Sequence, residues 1–140
     1  MLTGCRKSEA LAVKWSDVDY KIKQVHISGT KTENAVRFIP LFPQLEKLLA
    51  DIPKIDEYIF PYTDNLVHCN FVRLKRKYNL TFRIHDLRHT FATRCLENKI
   101  SINTVQRWLG YAQASTTANI YFHILTAFEF EEIKKFDPKI

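Results

Sequence analysis

Residues 84–93 constrain the fold most strongly, because their polar and apolar side chains are spaced for two separate faces of one helix. His85, Arg88 and His89 stand at positions i, i+3 and i+4, which share a face. The apolar residues of the stretch occupy a different face and are Ile84, Leu87, Phe91 and Cys95. We therefore expect a helix that is anchored in a core on one side and presents three phosphate-binding side chains on the other.

Positive charge is concentrated around this stretch. Residues 71–94 contain seven arginines and lysines against one aspartate, which accounts for the whole formal net charge of +6. Such a concentration predicts a polyanionic partner. Its densest part consists of Arg73, Lys75, Arg76 and Lys77. Taken alone, these side chains are typical of a solvated helix face, whereas the neighbouring histidines and arginine favour a nucleic-acid-binding surface.

Composition excludes several classes of protein. The 140 residues, of which 46% are hydrophobic, suffice for one globular domain. No apolar run approaches the roughly 20 residues of a membrane span, so no membrane partner is expected. Cys5, Cys69 and Cys95 form no CxxC pair, which fits reduced thiols in a cytoplasmic protein better than a disulfide framework or a zinc site.

Hydrophobic periodicity predicts an α+β fold that is mainly α-helical. Besides the central stretch, helices are expected over residues 7–15, 41–52, 65–79 and 102–109. Two strands flank a polar hairpin loop over residues 29–34, one marked by Val25 and Ile27 and the other by Val36 and Phe38. This small antiparallel hairpin lies near the N-terminus, and Lys31 stands near its tip.

Particular residues mark the ends and faces of these helices. Arg6 stands at the entrance of the first helix, where free N–H groups and the helix dipole favour an anion. From this segment alone, a surface arginine is the simpler interpretation. Phe71, Leu74 and Tyr78 are expected to point inward from the helix of residues 65–79. The helix of residues 102–109 is expected to begin after an N-cap serine, Ser101, and to end at Gly110.

Five groups of residues occur in the order seen in tyrosine recombinases. They are Thr3-Gly4-Cys5-Arg6-Lys7-Ser8-Glu9, then Gly29-Thr30-Lys31-Thr32 with Arg37-Phe38-Ile39-Pro40-Leu41, then His85-Asp86-Leu87-Arg88-His89-Thr90, Leu109-Gly110-Tyr111, and Ser115-Thr116-Thr117 before Tyr121-Phe122-His123. The chain resembles, over nearly its whole length, the catalytic domain of a phage or mobile-element integrase of that family. The resemblance implies site-specific DNA recombination with no cofactor, metal ion or small-molecule ligand.

The resemblance also implies a role for each matching residue. The scissile phosphate would be surrounded by Arg6, Lys31, His85, Arg88 and Tyr111, and attacked by Tyr121 to give a 3'-phosphotyrosyl enzyme. Guanidinium groups suit this task because they fork onto phosphate oxygens and stay charged at any working pH. Lys31 would protonate the leaving 5' oxygen, with His85 assisting proton movement at the tyrosine. Glu9 would orient neighbouring site residues, and His89 is either a phosphate neighbour or a packing residue.

Two alternatives concern individual site residues. Tyr111 stands where the family usually has a histidine or tryptophan; its hydroxyl can donate a hydrogen bond in their place, and it is also the alternative nucleophile to Tyr121. His85 and His89, at positions i and i+4, could bind a metal ion. Arg88 between them would repel a cation, so no metal site is expected.

Domain organisation, partners and location follow from the same resemblance. Residues 1–140 would be a catalytic domain truncated at its N-terminus, without the N-terminal DNA-clamp domain. Double-stranded DNA would be the partner, in the nucleoid of a bacterial or phage-infected cell. The segment 128–136, which starts at Phe128 and ends at Phe136, would pass to a neighbouring protomer in a tetramer. The alternative functions are DNA relaxation of the type IB topoisomerase kind and a catalytically silent DNA-binding module.

Overall fold

The computed structural model describes residues 2–29 and 36–110, which form five α-helices and one three-stranded antiparallel sheet. The strands, in their order across the sheet, are β1 (Val18–Asp19), β2 (Gln24–Ile27) and β3 (Arg37–Pro40). The helices are α1 (Lys7–Ala12), α2 (Pro43–Ala50), α3 (Asp64–Tyr78), α4 (Asp86–Glu97) and α5 (Ile102–Leu109). The expected α+β, mainly α-helical fold is confirmed. None of the helices in these residues is long and apolar enough to cross a membrane.

The two strands expected around the hairpin loop pair as antiparallel neighbours, with Val25 opposite Ile39. The buried face of β3 differs from the one that its apolar residues indicate. Val36 and Phe38 are more than half exposed, whereas Arg37 and Ile39 are buried. Since alternate residues of a strand share a face, burying Ile39 against the core takes Arg37 inward with it.

The first helix is shorter than expected, because α1 ends at Ala12 instead of continuing to residue 15. Val13 is extended and buried, and its carbonyl accepts a hydrogen bond from Ile59 N–H at 3.0 Å. A short 3-10 turn, Trp15–Asp17, follows it. The helix therefore ends at Ala12 because the backbone of Val13 pairs with Ile59 in the loop before α3 instead of continuing α1.

Within residues 2–29 and 36–110, two apolar clusters form the core, and Phe42 packs against both. One cluster joins the sheet to α2 and contains Val25, Ile27, Ile39, Leu45 and Leu49 among others. The second joins α4 to α5 and contains Phe91, Ala92, Cys95, Leu96, Val105 and Leu109. The Phe42 ring lies 6.4 Å from the ring of Phe91 and 5.7 Å from that of Trp108, so it connects the sheet layer to the helical layer.

The basic helix α3 lies on the surface. Its bounds match the expected ones within a residue, but none of its residues is buried. Leu74 and Tyr78 are 48% and 59% exposed, so the expectation that they point inward is wrong. Phe71 is half-buried and packs against the Phe82 ring at 5.8 Å. Among the described elements α3 contacts α1, and that contact leaves Leu74 and Tyr78 on the solvent side of the helix.

Helix α5 has the ends that the sequence predicts. The Ser101 hydroxyl accepts a hydrogen bond from Thr104 N–H at 3.3 Å, as an N-cap does. Gly110 ends the helix in the left-handed conformation at φ +68°, and its N–H donates to Gln106 O at 2.8 Å. The central helix α4 begins at Asp86, two residues later than expected, and continues to Glu97.

Candidate active site

A cleft of about 410 Å³ lies between the start of α1, one side of α3 and the start of α4, and we name it the basic pocket. Its basic lining residues are Arg6, Lys7, His68, Lys75, Arg83, His85 and Arg88. Cys5, Phe71, Val72 and Ile84 complete the described lining, which contains no acidic side chain. Such a lining concentrates positive potential and suits a bound anion.

Arg6 lies at the mouth of this pocket and is held by Glu9. The Arg6 backbone N–H donates to Glu9 Oε2 at 2.7 Å, and its guanidinium Nη1 donates to Glu9 Oε1 at 2.8 Å. The Arg6 side chain remains 41% exposed. One carboxylate therefore fixes both the backbone and the guanidinium of Arg6 while leaving the guanidinium accessible to a ligand.

Arg88 lies deeper than the helix pattern predicts. Its side chain is 1% exposed, so it is not part of an exposed polar face with His85 and His89. Nη1 donates to Gly4 O at 2.9 Å and Nη2 donates to Leu109 O at 2.5 Å. These two acceptors lie in segments far apart in the sequence, which explains why helical spacing alone did not reveal the burial. Arg88 still lines the basic pocket.

His85 immediately precedes α4, and its ring lies 5.1 Å from that of His89 in a nearly perpendicular arrangement. Burial lowers the pKa of His85 below its ordinary value, and the nearby His89 and Arg88 lower it further. The neutral imidazole is therefore favoured near pH 7, and it can accept or relay a proton. Within the described ranges, no group of three or more potential metal-binding side chains forms.

Glu9 is buried to 3% exposure and remains ionised. Burial on its own would raise the pKa of this carboxyl group, but hydrogen bonds from Arg37 and Arg6 outweigh that effect and hold the pKa at about 2. Glu9 is also 4.0 Å from Arg88 Nη1. A single carboxylate thus lies among three guanidinium groups, which orients them from behind the pocket.

Arg37 is the site residue that sequence reasoning assigned no role. It is 5% exposed, donates from Nη2 to Glu9 Oε2 at 2.7 Å, and donates from Nε to Trp108 O at 2.6 Å. The signal that could have identified it is its position two residues before the buried Ile39, on the same strand face. His68 and Lys75 also line the pocket, and their seven-residue spacing places them on one side of α3.

The basic run of α3 is divided between two environments. Lys75 is half-buried and lines the basic pocket, whereas Arg73, Arg76 and Lys77 are exposed to solvent. The four side chains therefore do not form one continuous surface. Lys31, Tyr111, Tyr121 and the segment 128–136 lie outside the described residues.

Comparison with known proteins relates this chain to a family. The sequence profile of the "Phage integrase family" matches residues 1–127. The tyrosine recombinase XerC of Pediococcus pentosaceus is 29% identical over 98% of this chain and 51% of its own length. The tyrosine recombinase XerA of Saccharolobus solfataricus is 32% identical over 88% of this chain and 43% of its own length. The chain therefore spans about half the length of the curated relatives it matches.

Solved structures resemble the fold over almost all of the chain. The catalytic domain of bacteriophage HP1 integrase matches with a TM-score of 0.74 and 25% identity, covering 99% of this chain and 77% of that domain. The crystal structure of XerA recombinase matches with a TM-score of 0.70 and 25% identity, covering 94% of this chain and 54% of that one.

Proposed function

Because the chain belongs to the phage integrase family, we propose that it cuts and rejoins DNA strands in site-specific recombination. The observation that carries this proposal is the meeting of Arg6, His85 and Arg88 at one basic pocket. A phosphodiester is negatively charged and repels nucleophiles, so a tyrosine that attacks it needs fixed cations around the non-bridging oxygens. Two guanidinium groups in a lining without described acids supply such cations, and the neutral imidazole of His85 adds a hydrogen-bonding group.

The proposed reaction transfers a phosphoryl group to the enzyme and back to DNA. The Tyr121 oxygen bonds to phosphorus as its proton leaves, while the bond from phosphorus to the leaving 5' oxygen breaks. Lys31 protonates that oxygen, which releases a 5'-hydroxyl, and His85 helps to move the proton of the tyrosine. Arg6 and Arg88 stabilise the charge on the phosphate oxygens. A second 5'-hydroxyl then attacks the 3'-phosphotyrosyl bond and restores both the phosphodiester and the free tyrosine.

Other parts of the chain have supporting roles in this proposal. Glu9 positions the arginines, the Tyr111 hydroxyl donates a hydrogen bond to the phosphate, and His89 neighbours it. The exposed basic residues of α3 bind the DNA backbone. Residues 1–140 serve as the catalytic domain, and the segment 128–136 packs on a neighbouring protomer in a tetramer on DNA. Recombination takes place at the nucleoid, in the cytoplasm.

The test is covalent capture of the chain by a nicked duplex, from which the cleaved fragment diffuses away and traps the phosphotyrosyl enzyme. We expect an adduct with the unmodified chain, formed on the order of 10²-fold more slowly by Arg88→Ala. Arg88 also hydrogen-bonds to Gly4 and Leu109, so its replacement affects the stability of the fold as well as the site. Arg6→Ala therefore tests the same claim at a half-exposed side chain. Arg94→Ala is the matched control, because Arg94 lies on the same helix as Arg88 but is exposed.

The outcomes separate the possible functions. Adduct formation with rejoining of two specific sites supports recombination, whereas adduct formation with plasmid relaxation alone would indicate a topoisomerase. DNA binding with no adduct from any substrate would indicate a silent binding module and overturn the proposal. Full activity of both Arg6→Ala and Arg88→Ala would show that the basic pocket is not the phosphate site.

A further inference from the structure

The Arg37 side chain joins three elements, one of which, α1, borders the basic pocket. It starts on β3, reaches α1 through both oxygens of Glu9 at 2.7 and 3.2 Å, and reaches α5 through the Trp108 carbonyl at 2.6 Å. This arrangement uses the planar fork of a guanidinium, because Nη1 and Nη2 face the two carboxylate oxygens while Nε points to the carbonyl. A lysine ammonium on one flexible stem could not reproduce all three directions.

The end of α5 is fixed by two buried guanidinium groups, those of Arg37 and Arg88. Arg37 holds the Trp108 carbonyl, and Arg88 holds the carbonyl of the next residue, Leu109. Gly110 then passes so close that a Cβ atom there would lie 3.0 Å from Arg37 Cδ and 3.1 Å from its Nη1. The position of Gly110 at the end of α5 therefore depends on where the Arg37 side chain lies.

Arg37 is separated from the ligand side of the site. It is 5% exposed and does not line the basic pocket, whereas its partner Glu9 holds the half-exposed Arg6 that does. Any effect of Arg37 on a bound phosphate must therefore pass through Glu9 or through the end of α5.

We propose that Arg37 is a positioning residue for strand cleavage: it fixes Glu9 behind Arg6 and fixes the C-terminal end of α5, without touching DNA. This inference rests on the proposed function. It predicts that losing Arg37 slows the chemical step while leaving the affinity for DNA nearly unchanged, since every group that binds a phosphate is still present.

The experiment compares the unmodified chain with Arg37→Lys, Arg37→Met and the exposed control Arg94→Met. DNA affinity is measured by fluorescence anisotropy, and the rate of adduct formation is measured with saturating nicked duplex at a temperature where circular dichroism shows each variant folded. For Arg37→Met we expect a Kd within about twofold and a rate lower by on the order of 10²-fold, because small displacements of catalytic groups have effects of that size. Arg37→Lys keeps the positive charge, so its rate should fall less than that of Arg37→Met. Arg94→Met should match the unmodified chain in both rate and Kd.

The pH profile distinguishes positioning from a purely structural role. Without Arg37, Glu9 keeps its hydrogen bonds from Arg6 but loses the hydrogen bonds and the positive charge of Arg37, so its pKa rises. The rate for Arg37→Met should therefore fall on acidification at a higher pH than the rate for the unmodified chain. A structural role alone would lower the folded fraction and leave the shape of the profile unchanged.

Two results would overturn the inference. One is a folded Arg37→Lys or Arg37→Met variant that forms the adduct within twofold of the unmodified rate. The other is a loss of adduct-formation rate that is proportional to the loss of folded protein, with a pH profile of the same shape as that of the unmodified chain. If the unmodified chain itself forms no adduct, the proposed function fails and this inference fails with it, whereas active variants overturn this inference alone.

Discussion

At the scale of single residues, the site depends on one buried acid. Glu9 lies 2.8 Å from Arg6 Nη1, 2.7 Å from Arg37 Nη2 and 4.0 Å from Arg88 Nη1. Removing one partner of a buried ion pair leaves an uncompensated charge, which destabilises more than the pair itself stabilises. Glu9 therefore couples the stability of the fold to the geometry of the site.

We expect Glu9 to make the free energy of unfolding depend on pH in the acid range. Its folded pKa of about 2 lies below its ordinary value of 4.5, so its contribution is complete above about pH 5 and is lost as the pH falls towards 2. The difference between these two pKa values corresponds to a contribution to the free energy of unfolding on the order of 3 kcal/mol. Urea unfolding followed by circular dichroism at several pH values between 7 and 3 measures it.

Glu9→Gln is the control for this titration, because it removes the ionisable group and keeps the shape. The variant should be less stable at pH 7 and should lose less stability on acidification than the unmodified chain. Equal losses in the two proteins would show that Glu9 is not the group responsible.

Gly4 is the second residue on which the site depends, because its carbonyl accepts the hydrogen bond of Arg88. It has φ +63°, and a Cβ atom there would lie 2.5 Å from Phe91 Cδ1 and 2.6 Å from Leu109 Cδ2. Gly4→Ala should therefore lower the free energy of unfolding by about 3 kcal/mol or more, since backbone strain and overpacking act together.

Gly110→Ala provides the comparison, measured by the same urea unfolding. Gly110 has a similar φ of +68°, but the atoms that a Cβ would meet belong to the Arg37 side chain and lie at 3.0 Å or more, farther than those at Gly4. We expect Gly110→Ala to cost less than Gly4→Ala. A Gly4→Ala protein as stable as the unmodified chain would contradict the described packing of Phe91 and Leu109.

At the scale of elements, the features that could be predicted best from the sequence are those that depend on neighbouring residues in the chain. The ends of α5 follow from Ser101 and Gly110, whose conformations are set by the adjoining backbone. The buried face of β3 and the exposure of Leu74 on α3 depend on which neighbours pack there. Local apolar spacing carries no information about those neighbours, so the inward position predicted for Leu74 and Tyr78 was wrong.

Helix α3 is expected to supply the salt-dependent part of DNA binding. Arg73, Arg76 and Lys77 are exposed, and replacing all three with alanine removes three cations that can each neutralise a DNA phosphate. The slope of log Kd against log salt concentration should then fall by about one for each phosphate that is no longer neutralised. Fluorescence anisotropy between low and physiological salt gives the slope directly.

Lys47→Ala on α2 is the control for α3, because Lys47 is also exposed and lies on another element. Its slope should equal that of the unmodified chain. An unchanged slope in the triple variant would mean that these α3 side chains form a solvated face, whose charges serve only to complement the C-terminal end of the helix dipole.

At the scale of the whole molecule, the site is assembled from segments that are far apart in the chain. Arg6 comes from the start of α1, Arg37 from β3 and Arg88 from α4, and all three lie within 4.0 Å of Glu9. The order of the motifs allowed Arg6, His85 and Arg88 to be selected from the sequence by resemblance. The burial of Arg88 and the role of Arg37 were not predictable in that way, because both depend on contacts between distant segments.

The proposed function requires that this assembly direct Tyr121 onto a DNA phosphate. Trypsin releases residues 108–134 as one peptide, since no arginine or lysine lies between Arg107 and Lys134. After capture on a nicked duplex and nuclease digestion, tandem mass spectrometry of this peptide locates the phosphate-bearing residue. We predict the phosphate on Tyr121 and no adduct from Tyr121→Phe. A phosphate on Tyr111 or on any other residue, or an adduct that survives in Tyr121→Phe, would contradict the proposed mechanism.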